Sequence, residues 1–489
     1  MKLPSLQLTC CVLLLTAVSC APSPNESNAN TNASPVAVAS PTQSTQPATA
    51  ANAQPVTLPV LDAFFADQSF SDALRSRLQL TDDQITRLKE LAHVETSKLN
   101  EATAGQTEGE TAAARTAAQE KVSAVIGPAK AEELSALVRE RWNDSSAAPG
   151  ATPAEKSQEP KTNPMTKEEF AAMAPNTVPT DSRIIVNTPA FRMDVFENGQ
   201  LVKSYKVGIG YPQFPLPNAL RKANTIIFNP TWTPPDEPWV AKMKNVTVGE
   251  KIEAGSSLNP LGPIKIPIGL PSLIHGGKSP AKIGTFASHG CVGLTTPQVQ
   301  DFAKLLAKIG GSQLSDSALA RYAKDKTQTK SVKLSHDVPV ELRYETIVAE
   351  DGKLHIYRDV YDQDSNTEDE LQRVLDVYGV KPEDLSSEER NQVYDALSQL
   401  AGKSTKKIVR PAAASVPSQS QSPSPEASPT GKKAATAKKT PRKKIGKEAV
   451  IEIAALKGKG YPAPVALDTG SGRPAKSPVA ATTKPTTQQ

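Results

Sequence analysis

A chain of 489 residues is longer than one compact core usually covers, so several domains are expected. Its 42 prolines, 4% aromatic content and long Ala/Ser/Thr/Pro stretches exclude a wholly globular protein, because such stretches bury too little apolar surface to offset the entropy of ordering. The net charge of +5 is not evenly spread: residues 403–447 hold twelve Lys and Arg against Glu426 alone, which leaves the rest of the chain mildly acidic.

In chain order, residues 1–20 read as an export signal: Lys2, the apolar run CCVLLLTAV, then Ser19 before Cys20. That apolar run is too short to span a bilayer as a mature helix. The segment resembles the lipobox of bacterial lipoproteins, with Ala17 where that motif prefers Leu. The resemblance implies cleavage before Cys20, acylation of its sulfur and a lipid anchor in the membrane; a plain secretory signal is the alternative. Residues 21–55 are expected to form the disordered tether that such an anchor needs.

Residues 56–142 are expected to form a small α-helical module. Leu74 and Leu78, then Ile85, Leu88 and Leu91, recur at helical spacing, and Thr81 with Gln84 between them makes a capping box. Farther on, Pro128 marks a helix start, with Leu134, Leu137 and Val138 on one face. The string LQLTDDQ resembles the LTxxQ motif of small helical periplasmic stress proteins; a spacer or docking module is the plainer reading. Residues 143–180 follow as a linker.

From residue 181 the texture becomes mostly β. FRMDVF and LVKSYKVGIG flank Asn198-Gly199, a strong hairpin signal. TIIFN, PIKIPI, PSLIHG, VPVELRYETIV and KLHIYRDV add further strands. TTPQVQDFAKLLAKIG reads as a helix with Pro297 in its first turn and Gly310-Gly311 beyond its end. The expected fold class is therefore a multi-domain chain: a mostly-β domain over 181–362 with one or two helices, the helical module before it, and disordered linkers and tail around them. Residues 363–402 are expected to be a helical extension and 403–489 a basic low-complexity tail, in which 448–489 shows no readable pattern. The tail is either a solvated extension or an electrostatic contact to an anionic envelope surface. No nucleic acid partner is expected for an exported chain.

Cys10, Cys11 and Cys20 all lie in the first twenty residues, so Cys291 is the one cysteine beyond them. Exported proteins normally pair their cysteines, and an unpaired one is a liability unless buried or used. Cys291 stands in SHGCVGL, with His289 two residues before it and His275 upstream in LIHGGK. Three readings compete: a buried structural cysteine, a zinc site of His275, His289 and Cys291, or a Cys–His nucleophilic site. A zinc site lacks a persuasive fourth ligand. A neighbouring imidazole can take a thiol's proton and lower its pKa, and Gly290 lets the backbone approach a substrate, so that nearby amides can hold an oxyanion. His336 and His355 are expected to be surface or packed imidazoles. Trp232 and Trp239 fit a cleft lining and a core equally well.

The IHG and SHGCV motifs, downstream of NPLG and VGIGYP and followed by VELRYETIVAEDGKLHIYRDVYD, resemble the L,D-transpeptidase (YkuD) catalytic domain over roughly 181–362. The resemblance implies that Cys291 is the nucleophile and His275 the general base, with the Gly276 carbonyl fixing its tautomer. It places His289 and Gly290 beside the thiolate and the oxyanion position, and Ser288 and Gly293 on the substrate side. After SHGCV the family usually carries Arg or Asn, where this chain has Gly293. The implied substrate is a peptidoglycan stem peptide, whose third-residue carbonyl forms a thioester with the cysteine. The acceptor is a second stem, a protein lysine or water, and the resemblance implies no metal or other cofactor. It also implies a periplasmic, cell-envelope location.

Overall fold

The computed structural model describes residues 56–99, 110–142, 169–170, 172–402 and 446–471; the export signal, Cys20, the tether and the basic stretch 403–445 lie outside them. Among the described residues, no helix is long and apolar enough to cross a membrane.

The first part is helical: Leu58–Phe65 (α1), Gln68–Leu78 (α2), Asp82–Ser97 (α3), Thr111–Ile126 (α4) and Pro128–Trp142 (α5). The expected capping box starts α3: the Gln84 amide donates to Thr81 Oγ1 at 3.2 Å, and the Thr81 amide donates to Gln84 Oε1 at 3.1 Å. Phe64, Phe70, Leu74, Leu88, Leu134 and Trp142 share one core. Two helices were not legible in the sequence. α1 is only eight residues long, too short to establish a period, and alanine-rich α4 buries a thin line of Ala118, Val122 and Ile126.

An eight-stranded sheet forms the second part, in the order β3-β2-β1-β10-β5-β6-β7-β9. Its members are Arg183–Asn187 (β1), Arg192–Glu197 (β2), Gln200–Lys206 (β3), Ala219–Phe228 (β5), Ile264–Pro267 (β6), Leu273–His275 (β7), Val292–Gly293 (β9) and Lys330–Arg343 (β10). Ile209–Gly210 (β4) and Phe286–Ser288 (β8) make a separate parallel pair. The hairpin forms where Asn198-Gly199 predicts it, with both residues at positive φ (50° and 78°), as the turn joining β2 to β3 requires. A short helix Pro238–Ala241 (α6) precedes the long helix Thr296–Ile309 (α7) and then Asp316–Lys324 (α8). The buried face of α7 (Val299, Phe302, Ala303, Leu306) joins the core of the sheet, and Thr295 with Gln298 caps its start.

The boundary expected at 362 is corrected. Ile347–Glu350 (β11) and Lys353–Tyr357 (β12) leave the large sheet and pair with a third strand, Glu448–Glu452 (β13), from the segment expected to be tail. Strand alternation explains why this small sheet is stable. One face (Ile347, Ala349, Leu354, Ile356, Ile451) packs under the helices Glu368–Val377 (α9) and Ser387–Leu400 (α10). The other (Val348, Tyr357) meets Ile185 and Phe196 of the large sheet, together with Tyr461. The expected helical extension is thus the roof of a second, small α/β unit. Residues 446–471 return to the fold because Ile451, Ile453, Leu456 and Tyr461 supply apolar anchors that the Lys- and Pro-rich composition around them concealed.

Buried ion pairs tie the strands together, and one of them, Arg192–Glu350, joins the two sheets. Arg192 on β2 bonds Asp194 at 2.9 Å and Glu350 on β11 at 2.5 Å. Glu341 on β10, fully buried, holds both Arg183 and Arg343. Breaking such a group leaves buried guanidinium charge uncompensated. Glu341→Gln should therefore lower unfolding free energy by about 2–3 kcal/mol, read as a shift in the urea midpoint at unchanged m-value.

Candidate active site

β7 and β9 run parallel, with Ile274 opposite Val292 and His275 opposite Gly293. One residue back along each strand sets Cys291 beside Leu273. Side chains two apart on a strand share a face, so His275 and Cys291 stand on one face of neighbouring strands as a diagonal pair. This register, rather than the sixteen-position spacing of His275 and Cys291, brings the imidazole and the thiol together.

His275 is buried, and its Nδ1 lies 2.8 Å from the Gly276 carbonyl oxygen. Nδ1 therefore carries the proton and donates it, which leaves Nε2 as the basic nitrogen. The local chain is shaped for this contact. Gly262, the last residue of NPLG, sits at φ 66°, where a side chain would lie 2.5 Å from the Gly277 amide nitrogen. Asn259 holds that turn, accepting from the Leu261 amide at 3.1 Å and donating to the Pro230 carbonyl at 2.7 Å.

Cys291 is half-buried and unpaired. Ser288, expected on the substrate side, turns inward instead: its hydroxyl donates to the Cys291 carbonyl at 2.6 Å and accepts from the Cys291 amide at 3.0 Å. It acts as a clamp on the nucleophile's backbone, and the Cys291 amide is occupied by it. Gly290, at φ 89°, makes the turn between the two.

His289 occupies an aromatic box. Its ring stacks on Trp239 (centroids 4.2 Å apart, 11° between planes) and meets Phe214 and Tyr211 edge-on at 4.8 and 5.3 Å. Trp232 stacks behind Trp239 at 6.0 Å. Of the two tryptophans, Trp232 is buried in a small core with Val240 and Leu261, and half-buried Trp239 forms one side of the box around His289. The Trp239 indole N–H donates to the buried carboxyl of Glu237.

The electrostatics differ from expectation. The neighbouring imidazole was expected to lower the thiol pKa, yet the Cys291 thiol is pushed up by burial, against a backbone hydrogen bond from Leu273 and the charge of Lys278. Burial, then the same lysine, lowers both His275 and His289 to about 3. The resting pair is thus a neutral thiol and a neutral imidazole.

Lys278, and Tyr211 and Phe214 on the His289 ring, are the neighbours of the site that motif reading missed. Lys278 lies in the quoted LIHGGK but draws no notice there. A methyl group at Gly293 would lie 2.8 Å from both Cγ and Cε of Lys278, so the lysine stem fills the space that a side chain at 293 would take. At position 293, where Arg or Asn was expected from the resemblance, the stem of Lys278, three residues past β7, takes the space instead. Gly293→Ala should displace that stem and slow Cys291 alkylation at pH 8 by about 3- to 10-fold, the effect of a thiol pKa raised by up to one unit. Iodoacetamide kinetics followed by intact mass would measure it, with Lys278→Met expected to match.

Outside the site, His336 Nε2 contacts the Ile309 carbonyl at 3.0 Å and His355 Nδ1 contacts Glu448 at 2.7 Å, both structural contacts.

Residues 181–329 match the family model described as the L,D-transpeptidase catalytic domain, YkuD. No curated protein matches the chain. Among solved structures, the catalytic domain of an L,D-transpeptidase from E. faecium is 16% identical, over 34% of this chain and 98% of that one, with a TM-score of 0.22. An L,D-transpeptidase from Mycobacterium smegmatis is 13% identical, over 33% and 58%, with a TM-score of 0.21. An Ldtfm–avibactam carbamoyl enzyme is 14% identical, over 33% and 48%, with a TM-score of 0.20, so this chain spans about half of that protein's length. The family match is confined to residues 181–329, which are similar to an L,D-transpeptidase catalytic domain of the YkuD family.

Proposed function

We propose that this chain is a peptidoglycan L,D-transpeptidase that works through a thioester on Cys291. The observation that carries this reading is the β7/β9 register, which sets Cys291 and His275 on one face with Nδ1 of the histidine turned to the Gly276 carbonyl. In the first half-reaction, Sγ bonds to the carbonyl carbon of the third stem residue. The Sγ proton passes to His275 Nε2 and on to the nitrogen of the terminal D-residue as that C–N bond breaks. In the second, an acceptor amine attacks the thioester carbonyl, the C–S bond breaks, and the amine's proton returns to sulfur through the same imidazole. Because the resting pair is neutral, the proton moves with the attack rather than ahead of it. Lys278 supplies positive charge beside the forming thiolate, and the Trp239–His289 wall shapes the cleft.

A second stem as acceptor gives a 3→3 cross-link, a protein lysine gives anchoring, and water gives carboxypeptidation. The export signal, a lipid on Cys20 and retention at an anionic envelope surface through residues 403–447 complete the reading of an anchored periplasmic enzyme; these rest on the sequence alone. The test is mass spectrometry of the protein incubated with purified disaccharide-tetrapeptide. Release of the terminal D-residue, an adduct on Cys291 and a 3→3 dimer support the proposal. Release without dimer selects another acceptor. Folded protein giving neither release nor adduct replaces it with a non-catalytic wall-binding role.

A further inference from the structure

The helical module lies outside the matched residues 181–329, yet two of its threonines reach the turn that adjoins the nucleophile. Residues Tyr211 to Phe214 make a β-turn, closed by the Phe214 amide donating to the Tyr211 carbonyl at 2.8 Å. Such a turn leaves the carbonyls of its two central residues, Pro212 and Gln213, outside its own hydrogen bond, and buried backbone carbonyls need a donor. Both find one in the module. Thr111, the first residue of α4, donates to the Pro212 carbonyl at 2.8 Å, and Thr57, which caps α1, donates to the Gln213 carbonyl at 2.5 Å. Both threonines are fully buried, and the Gln213 side-chain amide adds a bond to Glu110 at 3.2 Å.

We propose that Thr57 and Thr111 are positioning residues for Cys291, through which the helical module fixes the backbone of the nucleophile's loop. Every step of the path is a hydrogen bond or a close backbone approach. The Tyr211 amide donates to the Ser288 carbonyl at 2.8 Å, and the Ser288 hydroxyl bonds both the amide and the carbonyl of Cys291. β4 ends against the same loop. A side chain at Gly210 would collide with the Phe214 carbonyl oxygen and lie 3.2 Å from the Gly290 Cα, so the turn, β4 and Gly290 form one packed layer. The rings of Tyr211 and Phe214 reach His289 from this turn. A turn that loses its outer anchors is free to rock, and the Ser288 carbonyl and the clamp on Cys291 rock with it. What the positioning achieves rests on the reading of Cys291 as the nucleophile; the positioning itself does not. Both threonines act through the turn, and neither is a catalytic residue.

Hydrogen–deuterium exchange of the full chain, read on peptides covering 208–216 and 286–294, tests this without substrate. Thr111→Val keeps the side-chain volume and removes the hydroxyl; Thr111→Ser keeps the hydroxyl and loses the methyl group. The valine variant should speed exchange in both peptides by roughly 3- to 10-fold, the effect of one lost hydrogen bond, with β10 unchanged and the serine variant within about twofold of wild type. A threonine that served packing alone would give the reverse order. Thr57→Val should act in the same direction, and it reads the same turn where Thr111→Val fails to fold. On stem peptide, Thr111→Val should lower kcat by roughly 3- to 10-fold with KM within about twofold, and Thr111→Ser should restore it. Valine variants that exchange like wild type at 286–294, or serine variants that match the valine ones, would overturn the proposal. Wild-type protein that turns over no stem peptide but keeps the exchange pattern would retire the transpeptidase reading and support the positioning role alone.

Discussion

Cys291→Ala should lower stem-peptide turnover by about 10⁴- to 10⁶-fold and abolish the covalent adduct, because the reaction as proposed has no other nucleophile. The remaining cysteines, Cys10, Cys11 and Cys20, all lie within the first twenty residues, outside the catalytic motifs. The change should not disturb the fold, since Cys291 is half-buried and the Ser288 clamp holds its backbone atoms rather than its sulfur. Intact-mass measurement beside a thermal melt separates the two effects. Turnover above about one per cent of wild type, from protein that melts normally, would show that Cys291 is not the nucleophile.

His275→Asn should cost about 10²- to 10⁴-fold in acyl transfer, the range for losing a positioned acid–base group, while leaving alkylation of Cys291 by a small reagent nearly unchanged. The split follows from the resting state. His275 is held to about 3 and the thiol is raised, so no thiolate–imidazolium pair exists for the mutation to destroy. For the same reason, wild-type alkylation should climb steadily into the alkaline range with no inflection near pH 6. A plateau below pH 7 would mean a preformed thiolate.

The buried imidazole also makes the fold acid-sensitive. Its folded pKa lies below its unfolded value of 6.5, so its contribution is complete above that pH. It is lost as pH falls from 6.5 toward 3, where only the unfolded chain binds the proton; the loss amounts to about 3–5 kcal/mol.

The legible features of this chain are those that act over a few residues. The capping box at Thr81 and the Asn198-Gly199 turn form as the sequence predicts, since each depends on hydrogen bonds or backbone angles within four positions. The His275–Gly276 contact is equally local. The short helix α1 and alanine-rich α4 escape because one lacks a period and the other an apolar face. Ser288 and His289 stand where the motif puts them, but their side chains turn toward a backbone clamp and an aromatic box that the motif does not contain.

By itself, then, the sequence determined the chemistry available: one thiol and one imidazole in glycine-bounded motifs, the strands that carry them and the helix caps nearby. Tertiary structure decided how that chemistry is disposed. The parallel register of β7 with β9, the Lys278 stem over Gly293, the return of β13 across about ninety residues to β12 and the docking of Thr57 against Gln213 all join distant parts of the chain. Such contacts depend on which apolar faces find each other once the chain has closed its loops. Local propensity carries no record of that choice.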